Sequence, residues 1–173
     1  MKRFLLLCAS IICVVMTLVS CNQKQPEEVL YSSFYTLLKQ SPVDEARYKQ
    51  LYNDGHRIVF KTNNMLAGTT LARTTINYVD PILIEVDYME IQKRHDNLVP
   101  VISHELAHAW EAHYQYGLQE FFKIVNEQKN EQHIPWQDRT FEKSAIAKEN
   151  ETRKYLLSHY PKDYVGMSPT RSL

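Results

Sequence analysis

Apolar residues along the chain repeat with two different periods, and the period changes twice. Over residues 27–40, Leu30, Phe34, Leu37 and Leu38, with Tyr31 and Tyr35 beside them, recur at three- and four-residue steps. That is the spacing of a helix with one buried face. Ser41-Pro42-Val43-Asp44 opens a second helix. Ser41 can cap it, Pro42 suits its first turn, and Asp44 and Glu45 complement the positive end of the helix dipole. Asn53-Asp54-Gly55 ends it. The period then falls to two. Residues 57–60 form a short apolar strand, residues 74–79 alternate with Thr74, Ile76 and Tyr78 on one face, and residues 82–87 alternate with Ile82, Ile84 and Val86 on one face. Asp80-Pro81 turns between the last two, while Gly68 and the two Thr after it suit either a loop or a further strand. After Asp96 and Asn97, both suited to capping, Val99, Ile102, Leu106 and Ala109 restore the helical period as far as Gly117. A further helix follows over residues 118–131, with Phe121, Phe122 and Val125 apolar. Pro135 and Trp136 interrupt, Asp138 or Thr140 caps a last long helix reaching about His159, and Pro161 stops it. Helices, a small sheet, then helices predict one α+β domain over residues 27–165, with a disordered tail over residues 166–173.

The first 20 residues stand outside this pattern. Lys2 and Arg3 precede an uncharged run over residues 4–19, the form of a secretory signal and short for a bilayer-spanning helix. The run ends in Leu18-Val19-Ser20-Cys21, which resembles the bacterial lipobox. The resemblance implies cleavage before Cys21 and lipid on its sulfur. The rest of the chain would then be tethered by residues 21–26 to a bacterial membrane, facing periplasm or exterior. Cys8 and Cys13 lie in the signal, so the mature chain has no thiol left for a disulfide, a thiolate metal site or a cysteine nucleophile. A metal would have to be held by His, Asp or Glu. The 20 basic and 20 acidic side chains of the 173-residue chain cancel, which gives no electrostatic ground for a nucleic-acid partner.

Chemistry concentrates in His104-Glu105-Leu106-Ala107-His108. Two His at i and i+4 project from one face of a helix, one turn apart, and can converge on one Zn²⁺. Glu105 is rotated by about 100° from His104, which suits it to a metal-bound water rather than to the metal. Zinc lowers the pKa of such a water, and the carboxylate takes its proton as general base. Val101-Ile102-Ser103 before the motif and Ala109-Trp110 after it carry no charge. Glu111, one turn past His108, shares the ligand stripe but suits a supporting role behind the ligands. His113 lies off that face and reads as structural or solvent-facing.

This motif in this setting resembles the zincin metallopeptidases, and their gluzincin branch in particular. The metzincin branch would need Gly and His where this chain has Glu111 and Tyr114. The gluzincin resemblance implies a small, mostly antiparallel sheet packed on the active-site helix and a C-terminal helix. It also implies hydrolysis of a peptide or protein substrate by zinc-activated water, and a third ligand from a later helix. Glu142, in Arg139-Thr140-Phe141-Glu142-Lys143-Ser144-Ala145, matches the pattern around that ligand, with Ala145 small enough to let two helices approach. Glu149 is the rival, but its Lys-Glu-Asn-Glu run has the composition of a solvated face. The resemblance places an extended peptide along residues 82–87 and an oxyanion-stabilising group among Tyr155, His159 and Tyr160. The contrasting expectation is a non-catalytic zinc-binding lipoprotein, a peptide-binding or envelope-assembly module, which would have no use for Glu105.

Overall fold

The computed structural model describes residues 25–64, 66, 70–94, 96–130 and 133–170; Cys21, the signal segment and Gly68 lie outside the described residues. The elements in chain order are α1 (Pro26–Gln40), α2 (Pro42–Asn53), β1 (Ile58–Thr62), β2 (Ala72–Thr75), β3 (Ile82–Val86), α3 (Tyr88–Lys93), α4 (Leu98–Trp110), α5 (Leu118–Asn130) and α6 (Thr140–His159). The described residues form an α+β fold of six α-helices and a three-stranded sheet. Among the described residues, no helix is long and apolar enough to cross a membrane.

The helix signals act as the physical chemistry requires. Pro26 opens α1, Glu27 and Glu28 occupy its first turn, and Leu30, Phe34 and Leu37 bury one face. The Ser41 side chain caps α2 by accepting from the Asp44 N–H. Asn97 caps α4 by accepting from the Val99 N–H at 2.9 Å. A short helix absent from the periodicity, α3, starts at Asp87, whose carboxylate accepts from the Glu90 N–H at 2.9 Å.

The sheet is mixed rather than mostly antiparallel. β1 pairs with β3 in parallel, Phe60 opposite Ile84, and β2 pairs with β3 antiparallel, Thr74 opposite Ile84. The order is β1-β3-β2, so the last strand in sequence takes the centre. It is the strand with three fully inward apolar side chains, Ile82, Ile84 and Val86, and the middle of a sheet removes most surface from water. β2 is also displaced from its expected span. Its ladder ends at Thr75 opposite Leu83, Ile76 still packs inward, and Tyr78 and Val79 are exposed.

The core lies between α1, the sheet, α4 and α6, with Leu30, Phe34, Phe60, Ile84, Val101, Ile102 and Leu156 at its centre. Every residue of α4 from Leu98 to Ala109 is buried, so its polar side chains must find partners inside the protein. Ser103 does so through Asp44, a fully buried carboxylate that accepts from Ser41 (2.6 Å), Arg47 (2.9 Å), Ser103 (2.9 Å) and Thr152 (2.8 Å). This joint ties α2, α4 and α6 together beside His104. Packing continues past residue 165: the Met167 N–H donates to the Tyr164 carbonyl at 3.1 Å, and the Met167 side chain rests on the core.

Candidate metal centre

α4 presents His104 and His108 one turn apart with rings nearly perpendicular, 86° between planes and 4.6 Å between centroids. Their Nε2 atoms lie 3.0 Å apart. The first turn of α6 carries Glu142 against them, and its Oε2 lies 3.2 Å from His104 Nε2 and 3.5 Å from His108 Nε2. Fully buried Ala145, one turn further on, is the small residue at this contact. All three side chains are buried, and Glu142 Oε2 has no hydrogen-bond partner. The three groups together can hold a metal ion.

The electrostatics point the same way. Burial acts against a charge on the His104 imidazole, but Glu142 and Glu149, joined by Glu105, outweigh it and push its pKa up to about 9. Burial also acts to raise the Glu142 carboxyl, and His104 and His108 outweigh it, bringing that group down to about 2. The cluster therefore draws positive charge into a dry site, which a neutral imidazole pair alone would not do.

Behind each ring stands a second, fully buried carboxylate. Glu149 Oε2 is 3.1 Å from His104 Nδ1, and Glu111 Oε2 is 3.9 Å from His108 Nδ1. Both are anchored by cations from α6. Arg153 donates to Glu149 Oε1 from Nε at 2.9 Å, and Lys148 bonds Glu111 Oε1. Glu111 sits in a π-helical turn, Glu111–Gln115, that extends α4 before Gly117. There Gly117 adopts φ +75°, a conformation that favours glycine.

Glu105 points from α4 toward the sheet. The Thr74 hydroxyl of β2 donates to Glu105 Oε2 at 2.7 Å and sits 3.0 Å from the same residue's carbonyl oxygen. Two aromatic rings cover the centre. Trp136, on the turn before α6, stacks on His104 at 5.9 Å and 29°, and Phe141 meets His108 at 5.0 Å.

Several sequence expectations change here. Glu149 is not on a solvated face: it is fully buried against the Nδ1 side of His104, while Glu142 occupies the Nε2 side. Residues 82–87 do not offer a free edge, because β3 is paired on both sides; β2 is the edge strand that touches α4. Tyr155, His159 and Tyr160 are remote. At 1.5 Å per residue, Tyr155 lies about 19 Å along α6 from Glu142; its ring stacks on His159 at 4.0 Å, and Tyr160 packs on the core. His113 packs against His56, with 4.0 Å between ring centroids and a tilt of 41°, and Asp80 Oδ1 lies 3.2 Å from His56 Nδ1. Thr74, Lys148 and Arg153 carry no sequence signal that separates them from ordinary strand and helix residues. Trp136 had one, the Pro135-Trp136 break that places an aromatic beside the last helix.

No protein-family model, no curated protein and no solved structure matches the chain.

Proposed function

We propose that this protein is a zinc-dependent peptidase of the zincin type with a gluzincin-like ligand set, tethered to a bacterial envelope through lipid on Cys21. One observation carries the metal. The three donor-to-donor distances are 3.0, 3.2 and 3.5 Å, whereas neighbouring corners of a tetrahedron with zinc bonds of 2.0–2.1 Å are about 3.3–3.4 Å apart. Two imidazoles and one carboxylate are the donor set of catalytic rather than structural zinc, which leaves a fourth place for water or substrate. A zinc ion held there would supply Lewis acidity and a more acidic water. Glu105 is the base that accepts the proton of the attacking water, and Thr74 holds its carboxylate in place. β2, an edge strand of the described sheet beside α4, is the strand that would take an extended peptide by main-chain hydrogen bonds.

The burial of all three ligands and the Trp136 ring over His104 favour a second reading, a closed zinc site in a non-catalytic envelope protein. One comparison separates them. Wild type and Glu105→Gln should both hold about one zinc per chain by metal analysis. Against a broad peptide library the wild type should cleave, and the variant should lose about 10²–10⁴-fold in rate. A wild type that holds zinc and cleaves nothing supports the non-catalytic protein; a wild type without zinc sinks both.

A further inference from the structure

We infer that Glu149, held by Arg153, is a positioning residue for the metal: it takes the Nδ1 hydrogen of His104 and leaves the Nε2 lone pair facing His108 and Glu142. This rests on the metal reading above and concerns a residue that binds no metal itself. A carboxylate with no exposed surface in the middle of a helix needs a reason to be there. The two oxygens of Glu149 face different groups. Oε2 lies 3.1 Å from His104 Nδ1, and Oε1 accepts from Arg153 Nε at 2.9 Å, with the same guanidinium's terminal nitrogen at 2.8 Å. Two nitrogens of one guanidinium thus close on this single oxygen and tether it. The arginine in turn donates to Asp96 Oδ1 at 3.0 Å, an oxygen that also accepts the Asn97 N–H at 2.8 Å. Asn97 is the cap of α4, so a line of polar contacts runs from the start of the metal helix, through α6, to the back of its first ligand. On the other side of the ring, His104 Nε2 is 3.2 Å from Glu142. An imidazole has one hydrogen to give when neutral, and a carboxylate at Nδ1 decides where it sits. His108 lacks an equivalent partner at hydrogen-bond distance, since Glu111 stands off at 3.9 Å. The two rings are therefore unequal in distance alone: a carboxylate oxygen stands 3.1 Å from His104 Nδ1 and 3.9 Å from His108 Nδ1, and neither nitrogen has a completed hydrogen bond in this geometry.

The test measures zinc affinity by chelator competition on the full chain in detergent, for wild type, Glu149→Gln, and Glu149→Gln with Arg153→Met. The double variant removes the guanidinium that the single one leaves unpaired. A positioning role predicts a zinc affinity about 10–100-fold weaker in both variants, with the double variant regaining thermal stability but not affinity. Glu111→Gln should weaken zinc less than Glu149→Gln. Recovery of wild-type affinity in the double variant would show that Glu149 only partners Arg153, and would overturn the inference. If neither variant folds, ¹⁵N NMR of His104 in the zinc-loaded wild type decides: hydrogen on Nδ1 supports the role, and hydrogen on Nε2 refutes it. A wild type that fails to bind zinc refutes the metal reading instead, a result the wild-type arm reports on its own.

Discussion

Two buried carboxylates join the same pair of helices, and they are finished in different ways. Asp44 meets α4 at Ser103 and α6 at Thr152, and donors from Ser41, Arg47, Ser103 and Thr152 satisfy both of its oxygens. Glu142, on α6, meets α4 at the next residue, His104, and one turn on at His108. Its Oε2 faces two imidazole nitrogens and has no hydrogen-bond partner. The first joint is complete with what the chain supplies, so it holds the helices together. The second brings three electron-pair donors to one point and asks for a cation. Burial and closeness are common to both; what separates structure from a binding centre is whether the chain provides the matching donors.

Breaking the complete joint should have the largest effect. Asp44→Ala leaves Arg47 buried without its carboxylate and removes the acceptor shared by Ser41, Ser103 and Thr152, and should cost about 3–5 kcal/mol in urea unfolding, with or without zinc. A loss below 1 kcal/mol would mean the joint is not what ties α2, α4 and α6. The open joint should respond to metal instead. Zinc at 100 times its dissociation constant should stabilise the wild type by about 2.7 kcal/mol, and Glu142→Ala should abolish that gain. An equal gain in the variant would show that Glu142 does not close the centre.

The smallest effect should come from a third place where imidazoles approach each other. The His56 and His113 rings approach to 4.0 Å between centroids at a tilt of 41°, closer than His104 and His108, with Asp80 at one edge. His113→Phe should leave the zinc gain unchanged. Burial, then the neighbouring His56, lowers the His113 pKa in the folded protein, with Asp80 opposing. The unfolded chain then binds the proton more readily, so this contribution to stability is present above about pH 6.5 and is lost as the pH falls below it. Urea midpoints measured from pH 7.5 to 5 should therefore fall less steeply in the variant than in wild type. An unchanged slope would remove His113 from the account.

The difference between these joints was only partly legible in the sequence. The helix spans could be read because their causes are local. Ser41 and Asn97 cap the helices they precede, and the three- and four-residue steps of Leu30, Phe34 and Leu37 lie on one face whatever packs against it. Strand order could not be read, because Ile82, Ile84 and Val86 alternate in the same way at the edge or at the centre of a sheet. Glu149 departs from the expectation for a related reason. Lys148, Glu149, Asn150 and Glu151 are a polar run by composition, yet one position of the four turns inward, and a helix that packs on a buried neighbour can supply its charge with a partner such as Arg153. The oxyanion candidates on α6 failed on distance, since chemistry suited to a site says nothing of where along a helix the site lies.

The sequence by itself determined the two histidines one turn apart, the glutamate between them and the helix that carries them. Residues four apart share a helix face through backbone geometry alone, with no help from the rest of the molecule. Only the tertiary structure decided that Glu142 faces the histidines from the front and Glu149 from behind. It alone placed Thr74 on Glu105 and let Asp44 complete its joint without a cation. Those outcomes depend on how α6 and the sheet pack against α4. Packing is set by the summed burial of many side chains far apart in the chain, so no single motif records it.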